Sequence, residues 1–168
     1  MMKRLLTTFL LFGAIMFCTQ KADAQLYKNG IGLRLGWGYG LTFKHFLSEK
    51  AALEGILNYR SYGVTNYNYN YVRITGLYLI HNPIKSVEGL QWYYGGGLMF
   101  QSWGGDFKEY LPDAKTSNIG IVGALGLDYK FRDVPISITA DWLPTFILSG
   151  YGDGFGGEAG GLAIRYTF

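Results

Sequence analysis

The sequence predicts an all-β protein, an eight-stranded antiparallel transmembrane up-and-down β-barrel. Three observations predict it. Apolar and polar residues alternate with period two over most of the chain, as in strands that put successive side chains on opposite faces. The chain is 17% aromatic but only 16% charged, against about 25% charged in an average globular domain. The face opposite the apolar one carries so many charges that it cannot be a dry core. The 168 residues allow one domain. The wealth of aromatics excludes disorder, and the 25 glycines follow no third-position period, which excludes collagen.

In chain order, Met1-Met2-Lys3-Arg4 is a basic start and residues 5–17 form an apolar run. That run is shorter than the roughly 20 residues of a membrane-spanning helix. Ala22-Asp23-Ala24 then places small residues where a signal peptidase reads. Residues 1–24 are expected to be a cleaved signal peptide and 25–168 the barrel domain. Cys18 raises a lipoprotein signal as the alternative, but the bulky Phe17 before it argues against that. Lys3, Arg4, Lys21 and Asp23 leave with the signal, taking the formal net charge from +3 to +1, so no nucleic-acid partner is expected. The only cysteine leaves too, and an exported chain without cysteine relies on packing and backbone hydrogen bonds.

The mature chain reads as strands at about 29–37, 40–47, 51–62, 70–81, 89–102, 118–130, 135–147 and 158–168. Ile31, Leu33 and Leu35 alternate with Gly32, Arg34 and Gly36; Ile136, Ile138 and Trp142 with Ser137, Thr139 and Asp141; Leu162, Ile164 and Tyr166 with Ala163, Arg165 and Thr167. The first two strands could also be one bent strand near Gly38-Tyr39-Gly40; an even count favours two, with both chain ends on one side of a membrane. Short connections at 47–50, 82–88 and 132–134 alternate with longer ones at 61–70, 103–116 and 149–157, the pattern of an outer-membrane barrel with its long loops outside.

Arg34, Lys44, Glu54, Arg60, Arg73, Gln91, Asp128, Lys130, Asp141 and Arg165 fall on the polar face. Inside a narrow barrel they can pair with one another and with water. Aromatics near the strand ends, Trp37, Tyr59, Trp92, Tyr94, Trp103, Tyr129 and Trp142 among them, suit the two lipid–water interfaces. Gly32, Gly36, Gly95, Gly97, Gly120 and Gly126 make room in a lumen only wide enough for its own side chains. The same alternation would serve a soluble lipocalin-like barrel if the faces were reversed.

With these features the chain resembles the small eight-stranded outer-membrane barrels, the class of the OmpA transmembrane domain and OmpX. The resemblance covers about residues 26–168, and its most specific part is the end, Leu162-Ala163-Ile164-Arg165-Tyr166-Thr167-Phe168. In that class a last strand with alternating apolar residues and a terminal Phe implies recognition by the barrel-assembly machinery, so Tyr166 and Phe168 are expected to be the assembly signal. Outer-membrane lipid is the other implied partner. No peptidoglycan-binding domain follows Phe168, so the tethering role of longer relatives is not expected.

Chemistry has few candidates. Lipid A palmitoyltransferases and deacylases are the enzymes known on such barrels, and both use a His with a Ser and an acid. His45 and His81 both fall near the short-turn rim, away from the outer leaflet, and neither belongs to a His-x-Ser pair. They are expected to be interfacial, and no catalytic residue is predicted. The stretch Gly150-Tyr151-Gly152-Asp153-Gly154-Phe155-Gly156-Gly157-Glu158 has too few acids for Ca²⁺ and no P-loop Lys. No cofactor and no metal are expected. Tyr67, Tyr69 and Tyr71 are the candidate surface-contact loop, for an unknown glycan or protein, with an extension of the aromatic girdle as the alternative. Arg34, Glu54, Arg73, Asp128, Asp141 and Arg165 are expected to form a paired network that closes the lumen. The expected role is a structural or surface-interaction component of the bacterial outer membrane; a lipid-modifying enzyme or a narrow pore are the alternatives.

Overall fold

The computed structural model describes residues 27–64, 67–152, 154–156 and 160–168. The expected signal peptide, residues 1–24, lies outside the described residues. The strands are β1 (Asn29–Gly36), β2 (Gly38–Phe46), β3 (Ala51–Val64), β4 (Tyr67–Pro83), β5 (Leu90–Gly105), β6 (Ser117–Lys130), β7 (Ile136–Trp142), β8 (Thr145–Ser149), β9 (Gly154–Gly156) and β10 (Gly160–Thr167). Each pairs antiparallel with its neighbour in the chain up to β6, and β10 returns to β1, which closes the sheet. β7 with β8, and β9 with β10, are the two parts of the seventh and eighth barrel staves. The result is a closed eight-stranded antiparallel barrel, and closure gives every stave two neighbours.

Two strands, not one bent strand, open the fold. The turn at Trp37 is tight because Gly36 and Gly38 flank it at φ 144° and 102°, values that L side chains rarely adopt. The expected single strand 135–147 is interrupted. Pro144 has no N–H for the ladder, so β7 stops at Trp142 and β8 starts at Thr145. The register survives the gap: Leu125 faces Trp142, Val122 faces Thr145, and the Gly123 N–H still donates to the Pro144 carbonyl at 2.8 Å.

Within the segment 61–70, expected as a loop, residues 61–64 and 67–70 are strand. Ser61 pairs with Asn70, Tyr62 with Tyr69, Gly63 with Asn68 and Val64 with Tyr67. β3, β4 and β5 run for 14, 17 and 16 residues, whereas about 9–11 suffice to cross a bilayer. β3 runs on past Tyr59, where its pairing with β2 ends, and β5 past Ser102, where its pairing with β6 ends, so with β4 they stand above their neighbours as a flap on the side opposite Asn29 and Phe168. A single helical turn, α1 (Phe107–Tyr110), follows β5 at the top of the flap.

Burial is inverted relative to a water-soluble domain. Leu33, Leu35, Leu41, Leu57, Ile74, Leu98, Leu125 and Leu162 point outward and are 44–63% exposed. Arg34, Lys44, Glu54, Asp128 and Arg165 point inward and are at most 4% exposed. Leaving one such aliphatic side chain in water forfeits about 1.5–3 kcal/mol, so the belt calls for hydrocarbon around it. A lipocalin-like barrel needs the opposite distribution, and this structure does not have it.

Candidate functional site

The lumen is filled in two unlike halves. One wall, from β3 to β6, contributes Ala52, Ile56, Leu77, Leu79, Met99, Val122 and Ala124, joined by Leu143 from the junction of β7 and β8. The other half is charged. Arg34 on β1 forms a two-pronged pair with Asp141 on β7, Nη1 to Oδ2 at 2.8 Å and Nη2 to Oδ1. Lys44 on β2 sits 3.0 Å from Asp128 on β6 and 3.3 Å from Glu54 on β3. Arg165 on β10 pairs with Glu54 and also reaches Thr42 and Thr139. Three cations thus meet three carboxylates, all buried, and their formal charges cancel.

Hydroxyl groups add to the shell. Tyr27 donates to Asp128 at 2.6 Å, Tyr93 to Asp141 at 2.7 Å and Thr42 to Glu54 at 2.6 Å. The Lys44 ammonium lies 4.5 Å from the Tyr93 ring centre. A buried ion pair gains little over an apolar core, but a pair whose remaining lone pairs are hydrogen-bonded is held in one geometry. Of the six expected network residues, the structure joins Arg34, Glu54, Asp128, Asp141 and Arg165 through these contacts. Arg73 instead donates Nε to Gln101 at 2.8 Å. Sequence reasoning omitted Lys44 from the network, although its place on the polar face was legible, and it missed Tyr27 and Tyr93. Alternation with Gln91 places Tyr93 inside; Tyr27 precedes the first strand, where no pattern applies.

His81 is not interfacial. It is fully buried, its ring 4.8 Å from both Phe46 and Tyr93, with Nδ1 3.1 Å from Gln91 Oε1. Leu77, Leu79 and His81 share the inner face of β4, so the same alternation that seats the leucines seats the histidine. His45 stays at the rim against Asn29, 2.7 Å away. Among the described residues no group of three or more His, Cys, Asp or Glu is placed to hold a metal ion.

No family model matches the sequence, nor does any curated protein. Among solved structures the barrel is similar to Neisserial surface protein A (NspA), with a TM-score of 0.60 at 10% identity over 83% of this chain and 93% of that one. It is also similar to the N-terminal β-barrel domain of Pseudomonas aeruginosa OprF, with a TM-score of 0.52 at 17% identity over 83% of this chain and 95% of that one. The fold is that of the small eight-stranded outer-membrane barrels. At these identities the likeness is one of fold, and what the side chains of this outer-membrane-type barrel do rests on its own geometry.

An aromatic cover lies over the mouth of the barrel opposite Asn29 and Phe168. Trp103 stacks on Phe107 at 4.8 Å and meets Tyr71 edge-on at 5.2 Å; Tyr69 stacks on Tyr62 at 5.3 Å and on Tyr110 at 5.6 Å; Tyr151 meets Phe107 at 5.3 Å. These rings sit on the inward face of the flap, so Trp103 is not a lipid-facing girdle residue as the sequence suggested. Tyr67, Tyr69 and Tyr71 lie on strand β4, not in a loop, and Tyr71 is buried under Trp103. Tyr67 remains exposed. The Arg60 guanidinium lies between rings, 3.7 Å from the centre of Trp37 and 4.5 Å from that of Tyr62. Below this cover is a cavity of about 20 Å³, lined among others by Arg34, Trp37, Asn58, Tyr71, Arg73 and Thr75. That volume holds one or two waters and is no channel.

At the opposite rim, Tyr166 and Phe168 face outward with ring centres 6.0 Å apart. The Phe168 N–H donates to the Asn29 carbonyl at 2.9 Å, so pairing with the first strand runs to the last residue.

Proposed function

We propose that the protein is a small integral outer-membrane barrel with a closed, charge-filled lumen, serving the envelope as a structural or surface-interaction component through its outer side and not as an enzyme. One observation carries the reading: three buried cations and three buried carboxylates neutralise one another inside a wall whose outside is apolar. A charge set that is already balanced in ion pairs plugs a narrow lumen without needing ions to pass. In this reading residues 1–24 direct export, Tyr166 and Phe168 at the end of the last stave serve the barrel-assembly machinery, and outer-membrane lipid surrounds the belt. The flap, with exposed Tyr67, Tyr110 and Tyr151, is the surface offered to a glycan or protein.

The test is an outer-membrane fraction run on a denaturing gel with and without boiling. A band in that fraction that shifts on boiling supports the reading; an unshifted band in the soluble fraction overturns it. Planar-bilayer recordings are expected to give no large, stable single-channel steps. Mass spectra of lipid A are expected to be the same with and without the protein.

A further inference from the structure

We propose that the outer end of the lumen is an anion site, built to take a phosphate group that enters beneath the aromatic cover. The inference rests on the reading above, since it places the ligand on the outer side of an integral barrel. Arg34, Arg73, the Asn58 amide and the Thr75 hydroxyl line the cavity at this end, and the Arg60 guanidinium lies beside it over the ring of Trp37, which also lines it. Arg34 is held by Asp141 and Arg73 by Gln101, so both heads are fixed before any ligand arrives.

The orphaned polar atoms supply the independent observation. Among the described residues, those buried without a hydrogen-bond partner at the outer end are Arg60 Nη1 and Trp103 Nε1, and both are donors. At the inner end they are Glu54 Oε2, Asp128 Oδ1, His81 Nε2 and the Ser137 and Thr167 hydroxyls, all able to accept. A buried donor without an acceptor costs free energy, and an N–H on a guanidinium is best satisfied by an anionic oxygen. Arg60 shares the inner face of β3 with Asn58 and stands opposite Tyr71, both of which line the cavity.

Size and access set the class of ligand. The cavity, about 20 Å³, accommodates one or two water-sized groups. That is the oxygen edge of a phosphate, not a sugar ring. Trp37, in the turn between the first two strands, and Gly160, at the upper end of β10, are part of its lining. The bulk of the ligand stays outside, against the rings of the cover. A phosphorylated glycolipid head group of the outer leaflet and a free phosphorylated sugar share this chemistry.

The experiment uses the folded barrel isolated from membranes in a maltoside detergent, which carries no phosphate. Fluorescence of the tryptophans and the unfolding midpoint are followed against inorganic phosphate, glucosamine 1-phosphate and mixed micelles holding a phosphorylated or a dephosphorylated glycolipid, with chloride at equal ionic strength. A saturable response to a phosphorylated probe that chloride does not produce is expected. A response confined to the glycolipid micelles identifies the lipid as the source; a response to glucosamine 1-phosphate alone identifies a soluble ligand. Arg60→Gln and, as a variant of unchanged shape, Thr75→Val should each weaken binding, Arg60→Gln by about tenfold or more. Arg132→Gln at the other rim should leave it unchanged. No response from any phosphorylated probe, or full affinity in both site variants, overturns the proposal. A barrel that shifts on boiling yet ignores every probe defeats the anion site alone; a chain missing from the membrane fraction defeats the function proposed above.

Discussion

Lys44 and Asp128 lie 84 residues apart in the chain, yet their charged groups meet at 3.0 Å in the middle of the barrel, both fully shielded from solvent. The pair is possible because β2 and β6 face each other across a lumen only side chains wide.

Removing one member leaves its partners charged and unmatched. Lys44→Met is expected to destabilise the folded barrel by about 3–5 kcal/mol. The double variant Lys44→Met with Asp128→Asn should cost less than the sum of the two singles, because the remaining Glu54 keeps Arg165. Urea unfolding in lipid vesicles measures both, and strict additivity of the singles would show that the two groups do not act together.

The lipid-facing belt makes a second prediction. Leu33→Arg, at a residue 59% exposed in the middle of β1, is expected to cost about 2–4 kcal/mol in vesicles. Val134→Arg, in the turn at the rim, should cost about 0–1 kcal/mol. Equal effects would mean that the belt does not sit in hydrocarbon.

Glycines on the two faces should respond in opposite ways. A Cβ at Gly97 would overlap the Gly76 carbonyl and the Leu77 backbone, which cannot give way without moving the wall. Gly97→Ala is expected to cost about 1–3 kcal/mol. At Gly55, which faces lipid, a Cβ meets nothing within 4 Å, so Gly55→Ala should be neutral or stabilise by about 0.4–1 kcal/mol. Unfolding midpoints of the two variants decide the matter.

The aromatic cover is expected to hold the flap independently of the barrel wall. Phe107 is 1% exposed between Trp103 and Tyr151. Phe107→Ala should open the segment around residues 105–116 to added protease on intact cells while the band still shifts on boiling. Loss of the shift would place Phe107 in the core of the barrel's stability.

Much of this was legible in the residues. Alternation put Arg34, Glu54, Asp128 and Arg165 on one face, because β1, β3, β6 and β10 each have one apolar and one polar face, and the terminal Phe and the aromatic girdles made that face the inner one. It failed where both faces are apolar: on β4, Leu77 and Leu79 look inward while Ile74 and Tyr78 look outward, so nothing marked His81 as buried. Tyr67 to Asn70 resemble a turn by composition, but pairing with Gly104 and Gly105 on one side and with β3 on the other makes them strand. Which cation meets which carboxylate depends on strand tilt and stagger, which period-two patterning does not encode. Lys44 was therefore visible as a polar-face residue and invisible as the hub of the network.

The distribution of the charged groups over the staves has a consequence for how the barrel is finished. The cations come from β1, β2 and β10 and the carboxylates from β3, β6 and β7. Until β10 joins β1, Glu54 keeps Lys44 but lacks the Arg165 guanidinium that also pairs with it. The terminal strand delivers the missing counter-charge in the same movement that completes the ring of backbone pairing. An open intermediate keeps an incompletely paired Glu54 and an unpaired strand edge that hydrocarbon rejects, so entry into lipid and sealing of the seam are coupled.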